Sequence, residues 1–396
     1  FIPMDYNKIL DRQSRLALIE RIKFLRETKP EILSSDGDID EYGFLSQSKS
    51  TQNGCDPNLL PTLKPAAPVP LQLLTQLESQ WEALICGDNA QTEVTPKNRD
   101  TFKNLARKGI PNKYRPLAWQ ILSNSWKLFK ANETSQFSKY QELLKLETNE
   151  KLITQLNKDI DRTQPCLRFF RSEVHLCQLF RLLKAFAVHC PQVEYCQGMG
   201  FPAAILLYYM PETQAYWAFY QLMQRFGDMF ADGLRGTRLR AEILQQLLQK
   251  TSPKIAAHYQ KLNLPVTLFA PGWFMSFFLN AFDFPVAVRI FDAFLCEGEK
   301  VLHRAAIAIF RFGARGKILQ PSRGNNYYSQ KWEAEFDQMD KGDKGVSLLC
   351  MPTGVLMVYT QRISSAVKNG DEMMQEMLGV KFSTEELKAI EKQVGL

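Results

Sequence analysis

Leu156-Asn-Lys-Asp159-Ile-Asp-Arg162-Thr163-Gln-Pro165 and, further on, Glu194-Tyr195-Cys196-Gln197-Gly198-Met199-Gly200 bracket one apolar-patterned segment, residues 172–189. Leu152, Leu156 and Asp159 keep helical spacing, and Pro165 disfavours helix at Gln164. Arg162 is therefore expected where a helix stops and a loop begins, with its side chain reaching outward. Glycines flank Met199, and glycine permits sharp turns and close backbone approach. Gln197 is accordingly expected on a tight loop. Between the two pieces, Ser172 is the expected cap of a long helix. Val174, Leu176, Cys177, Phe180, Leu183 and Val188 form its inward face.

Outward from this centre the chain keeps helical periodicity. On the N-terminal side, a helix is expected at 71–86, with Leu74, Leu77, Trp81 and Leu84 on one face and Trp81 as an anchor. A short helix carrying Phe102 and Leu105 should end at Gly109, a suitable C-terminal cap. Pro111 suits the first turn of the next helix, which puts Arg115 and Trp119 one turn apart. That face either positions the arginine loop or is an ordinary core tryptophan with an arginine stacked on it. Helices are also expected at 133–147 and 148–161. The run 198–210 is apolar almost all round and reads as a central buried helix. Pro211 opens the next. Beyond a loop at 227–236, helices are expected at 237–250, 253–262, 266–283, 285–297 and 300–314. Further helices near 346–367, 371–378 and 383–394 would cap the body.

At the N-terminus, residues 4–27 read as a helix, and 28–70 as a polar, proline-rich connection. Residues 316–343 read as a surface excursion. Strand alternation and fixed-period repeats are both missing. The expected fold is all-α, with many short helices packed irregularly and no significant sheet. The expected divisions are an extension over 1–97, a core over 98–318 and a C-terminal helical region over 319–396.

Composition narrows the class. At 45% hydrophobic and 23% charged, the 396-residue chain is ordinary globular protein. A net charge of +7 suits an acidic protein partner, a membrane surface or neither, and no dense Lys/Arg run supports nucleic-acid binding. The eight cysteines form no Cys-x-x-Cys and lie mostly among apolar residues, so they read as reduced intracellular thiols. His175 and Cys177 lack the companions of a zinc site, and no metal site is expected. The longest apolar run, 201–210, is too short to span a bilayer. The chain opens at Phe1 and is expected to be a piece of a longer protein. Gly-x-x-x-x-Gly-Lys-Ser/Thr, Gly-x-Gly-x-x-Gly after a strand, His-Glu-x-x-His and Gly-x-Ser-x-Gly are all absent. The chain thus carries no usual cradle for a nucleotide of its own.

An arginine and a glutamine on two exposed loops can act on someone else's nucleotide. The arginine spreads positive charge over phosphoryl oxygens, and the glutamine orients the attacking water. Leu-x-x-Asp-x-x-Arg-Thr-x-Pro followed by Tyr-x-Gln-Gly-Met closely resembles TBC-domain Rab GTPase-activating proteins. Gly109-Ile-Pro111…Arg115…Trp119, Leu268-Phe269…Trp273-Phe274 and Arg289-Ile-Phe291-Asp292…Phe294 resemble further text of that family, so the likeness covers roughly 105–315. Leu156 stands where the family more often has isoleucine, and Phe291 where it usually has tryptophan. Both exchanges keep apolar volume and touch packing, not chemistry.

The resemblance implies that Arg162 is an arginine finger and Gln197 a glutamine finger, given in trans to a Rab-family GTPase in its GTP form. Asp159 would orient Arg162, Tyr195 would support the glutamine loop, and Thr163, Gly198 and Arg115 would be supporting residues. The chain would need no cofactor of its own, because GTP and Mg²⁺ arrive with the partner. It would activate GTP hydrolysis without being an enzyme in its own right, and would serve vesicle trafficking from the cytoplasm. Recruitment to membranes through the partner is an open option. Direct peripheral binding by the C-terminal helices gains little support, since they mix acid and base. Two alternatives stand: a non-catalytic TBC scaffold that binds a small GTPase or another protein, and a helical interaction module unrelated to GTPases.

Overall fold

The computed structural model describes residue 20 and residues 71–164, 167–193, 195–315 and 347–396. Apart from residue 20, the expected helix at 4–27 falls outside the described residues, as do the 28–70 connection and the 316–343 excursion. Helices follow in order: α1 (Leu71–Ile85), α2 (Arg99–Lys108), α3 (Arg115–Leu122), α4 (Ser125–Ala131), α5 (Glu133–Lys145), α6 (Glu150–Asp159) and α7 (Glu173–His189). Then come α8 (Gly200–Tyr209), α9 (Glu212–Phe226), α10 (Arg235–Thr251), α11 (Pro253–Lys261), α12 (Ala270–Met275), α13 (Phe284–Glu297) and α14 (Glu299–Ala314). The last three are α15 (Thr353–Arg362), α16 (Gly370–Gly379) and α17 (Thr384–Val394). Short 3₁₀ turns join several of them, and no strand occurs among the described residues. The all-α expectation therefore holds.

The chain divides into two compact units. The first holds residues 82–95 and 112–231 of the described chain. At its centre lies α8, buried from Gly200 to Leu207 and packed on α7 and α9. Its apolar surface has no polar face to offer water, so enclosure is the stable arrangement. Helix α7 is more enclosed than its pattern implies. Every residue from Leu179 to Phe186 is buried, including Arg181 and Lys184, while Val174, expected inward, is 45% exposed. The two cations are held by partners from other helices. Arg181 Nε and Nη2 lie 2.7 and 2.5 Å from the Glu212 carboxylate. Lys184 Nζ donates to the Leu144 and Leu146 carbonyls at 2.7 and 2.5 Å, where the end of α5 presents unpaired acceptors. Ser172 does stand at the cap position of α7, but its side chain makes no capping bond.

The second unit holds residues up to Trp81, then 96–111 and the described chain from Asp232 onward. Here α13 packs on α2, α14 and α16, and α10 packs on α11, α12 and α17. Trp81 is fully buried, with Phe102 6.2 Å away and its Nε1 donating to Gly109 O at 2.9 Å. Gly109 ends α2 at φ 111°, and a Cβ there would lie 1.9 Å from Arg289 Nη1. Glycine is thus required both by conformation and by the close arginine. Helix α17 starts with a full capping box between Ser383 and Glu386.

Several expected elements differ, the helix near 346–367 among them, which is reduced to α15 between two 3₁₀ turns. The single helix at 266–283 is broken into a 3₁₀ turn, the short α12 and a set of turns. Phe277 and Phe278 adopt φ of 48° and 64°, which costs about 1–2 kcal/mol each. In that conformation both rings become fully buried, Phe277 4.9 Å from Phe294 and Phe278 5.9 Å from Phe282. Burying a phenylalanine contributes about 1.5–3 kcal/mol, enough to offset the strain. The helix expected from Pro111 begins instead at Arg115, and Pro116 occupies its first turn.

Asp283, just before α13, has a pH consequence. It is 6% exposed and accepts from Lys368 Nζ at 2.7 Å, while its Oδ1 has no hydrogen-bond partner. Burial pushes its carboxyl up from 3.8 to about 6, against the pull of Lys368. The folded pKa exceeds the unfolded one, so the stability Asp283 contributes is fully present below about pH 4 and is lost as pH rises through about 6. Urea midpoints measured across this range are expected to show wild type losing stability relative to Asp283→Asn. A pH-independent difference between the two would contradict this.

Candidate functional site

All the predicted site residues lie in the first unit. Helix α6 ends at Asp159 and tightens into a 3₁₀ turn, Ile160–Arg162, so its last residue projects from the helix end. The Arg162 side chain is 54% exposed, whereas Asp159 is 1% exposed. Arg162 Nη2 donates to Asp159 Oδ1, three residues back on the same helical face. The second loop rises from Tyr195 and turns through the 3₁₀ segment Gln197–Met199 directly into α8. Gly198 and Met199 are buried, and Gln197 is exposed, with its amide making no hydrogen bond among the described residues.

Two contacts tie these loops together. Tyr195 Oη donates to Asp159 Oδ2 at 3.1 Å, so one carboxylate serves both the arginine and the loop of the glutamine. Burial, and then the Asp159 charge, push the Tyr195 hydroxyl well above its usual value, which keeps it a donor. A carboxylate buried this far needs such partners, because an unpaired buried charge is costly. Thr163 supplies the other contact. It is 3% exposed, and its Oγ1 donates to Asp159 O at 2.7 Å. A Cβ placed on Gly200 would lie 2.8 Å from that same Oγ1 and 3.4 Å from Cγ2. The start of α8 thus approaches the arginine loop as closely as only glycine allows.

This approach yields a measurable coupling. Gly200→Ala is expected to cost about 1–3 kcal/mol by overpacking against Thr163. In a Thr163→Ala background both offending atoms are gone, and the cost should shrink. A double-mutant cycle in urea measures the difference. Equal costs in the two backgrounds would mean that the loops do not bear on one another at this point.

Arg115 is buried at the start of α3. It donates to Asn112 Oδ1 and to Tyr209 Oη at 3.3 Å, and its guanidinium lies 5.5 Å from the Tyr209 ring centre. Trp119 meets the same ring edge-on at 4.8 Å. The arginine overlies Tyr209, whose ring Trp119 also meets. Below the arginine loop, Phe169 stacks on His175 at 3.5 Å and meets Tyr208 edge-on at 5.4 Å. Sequence reasoning passed over this group. Its only signal was the aromatic pair Phe169–Phe170 beside two arginines. A shallow groove lined by Glu150, Thr154, Gln155 and Lys158 runs along the exposed face of α6 to Arg162.

Chemically, the arrangement offers a planar cation and a neutral amide, both exposed and both based on one buried carboxylate. No group of three or more potential metal-binding side chains occurs among the described residues. No described helix is long and apolar enough to cross a membrane. The six cysteines among the described residues form no disulfide.

Comparison with known proteins identifies the class. The family model for the Rab-GTPase-TBC domain matches residues 112–318. The chain is 33% identical over 251 residues to Drosophila melanogaster TBC1 domain family member whacked, covering 63% of this chain and 67% of the relative. It is 29% identical over 312 residues to the human Ecotropic viral integration site 5 protein homolog, covering 77% of this chain and 34% of the relative. The crystal structure of the Ypt/Rab-GAP domain of Gyp1p shares the fold, with a TM-score of 0.57 at 16% identity, covering 81% of this chain and 99% of that one. The chain belongs to the Rab-GTPase-TBC domain family. It spans about a third of the length of several mammalian relatives it matches, between 32% and 37%.

Proposed function

We propose that this chain accelerates GTP hydrolysis by a Rab-family GTPase in its GTP form, with Arg162 as arginine finger and Gln197 as glutamine finger. The observation that carries the reading is the shared footing of the two loops on Asp159, with both candidate fingers exposed above it. Support also comes from a relative named putative GTPase-activating protein AN11010 of Emericella nidulans, 30% identical over 243 residues.

In this reading GTP and Mg²⁺ come with the partner. Arg162 neutralises charge that builds on the phosphoryl oxygens as the bond to the leaving phosphate lengthens. Asp159 holds the guanidinium by a charge-assisted bond, so less orientational freedom is lost when the partner binds. Gln197, whose amide makes no hydrogen bond among the described residues, orients the attacking water. Tyr195 and the Thr163–Gly200 contact fix the loop that carries it. The site of action is the cytoplasmic face of a membrane where the partner resides, within vesicle trafficking.

The test is single-turnover GTP hydrolysis across a panel of GTP-loaded Rabs. Wild type should stimulate one or a few members. Gln197→Ala should lower that stimulation by on the order of 10², the usual worth of one positioned polar group in a transition state. A partner lacking its own switch glutamine should still respond to wild type. Insensitivity of that partner would remove the role given to Gln197. Binding without any acceleration would replace the whole reading with a non-catalytic scaffold.

A further inference from the structure

Helix α6 lays a charged row along the groove that ends at Arg162. Glu150, Thr154, Lys158 and Arg162 recur every four residues and line one wall of a space of about 550 Å³. Lys158 is exposed and stands about one turn behind Arg162. Its ammonium makes no ion pair or hydrogen bond among the described residues. Asp159, the adjacent acid, is 1% exposed and already serves Arg162 and Tyr195. Glu150, the other acid of the groove, lies eight residues back, about 12 Å along the helix. It sits in the first turn, where the helix dipole favours an anion.

A lysine in the last turn of α6 also suits the carbonyl end of the helix. That interaction explains a cation in this turn, but not one four residues from an exposed arginine. Like charges at that spacing repel, so the pair is unfavourable in the free chain. Covering both with an acidic surface turns the repulsion into attraction. The groove runs back from the helix end, so Lys158 faces what lies beside the group that Arg162 meets. Lysine is also a point charge on a flexible stem, suited to a single carboxylate, whereas the planar fork stands at 162.

We propose that Lys158 docks the partner by pairing with a carboxylate on the GTPase surface beside the nucleotide, and so sets affinity and choice among partners without entering the hydrolytic step. This pairing rests on the activator reading for the identity of the partner. If Arg162 meets the nucleotide, the surface that borders the nucleotide covers the turn behind it. A contact made equally before and in the transition state moves half-saturation and leaves the maximal rate alone. A charge at the rim of an interface acts mainly on association and is screened by salt.

The experiment measures single-turnover hydrolysis by a panel of GTP-loaded Rabs against increasing concentrations of the whole chain, at about 0.05 and 0.3 M salt. Binding to the same panel is followed by interferometry. Lys158→Glu should raise the half-saturating concentration by about tenfold at the lower salt and by clearly less at the higher. Its maximal rate should stay within about twofold of wild type. Lys158→Arg keeps the charge and should restore wild-type half-saturation. Lys254→Glu makes the same change in net charge at an exposed position on α11 and should shift nothing. A shift as large in Lys254→Glu would assign the effect to net charge and overturn the proposal. So would a fall in maximal rate with half-saturation unmoved, because Lys158 would then act on the Asp159–Arg162 pair or on the nucleotide. Acceleration by wild type with neither quantity changed in Lys158→Glu overturns this proposal and leaves the activator reading standing. Binding without acceleration, weakened by Lys158→Glu, removes the activator reading and supports the docking contact. Absence of binding to every Rab overturns both.

Discussion

Arg162→Ala is expected to lower stimulated GTP hydrolysis by on the order of 10³–10⁵, the range in which arginine fingers act. The more informative substitution is Arg162→Lys. Asp159 is buried and needs a cation beside it, and a lysine at 162 can supply one. Unfolding of the lysine variant should therefore stay close to wild type. The ammonium cannot present a planar fork to phosphoryl oxygens, so most of the stimulation should still vanish. Affinity for the GTP-loaded partner should change far less than the rate, since the lost interaction belongs to the transition state. Urea unfolding, pull-down on GTP-loaded partner and single-turnover hydrolysis measure the three quantities. A lysine variant that kept wild-type stimulation would refute the finger assignment.

Glu212→Ala should give the largest loss of stability. Glu212 is 6% exposed and accepts from Arg181, itself 1% exposed, and from Tyr140 Oη at 2.7 Å. Burial, and then the Glu212 charge, push the Tyr140 hydroxyl well above its usual value, so it remains a donor. Removing the carboxylate leaves a buried guanidinium without its counterion, at a cost of about 3–5 kcal/mol. Replacing the pair together, Arg181→Met with Glu212→Leu, removes both charges and should cost less than Glu212→Ala alone. Urea unfolding of Arg181→Met, Glu212→Leu and the double variant measures this non-additivity. Additive costs would mean that each residue acts through separate contacts.

Helix periodicity made the all-α fold and most of its helices legible, because apolar residues at helical spacing have few other uses. The Asp159–Arg162 relation was equally legible, since three residues on a helix define a neighbour. What the sequence could not carry was whatever depends on a second element. Arg181 and Lys184 look like the wet side of α7, and only Glu212 and the carbonyls ending α5 explain why they are buried. The glycine at 200 was visible, but its closeness to Thr163 was not. Nor could periodicity foresee two phenylalanines leaving helical conformation at 277 and 278 to bury their rings.

The double service of Asp159 bears on how other sequences of this kind should be read. In the proposed reading arginine and glutamine are the reagents, and the aspartate holds the arginine directly and the loop of the glutamine through Tyr195. A homologue that kept both reagents and lost the aspartate would still score as intact in a search for fingers. Its arginine would swing on an unanchored turn, and its glutamine loop would lose the tyrosine's tether. On that reading, catalytic competence in such sequences is better judged at the silent third position than at the two proposed to meet the nucleotide.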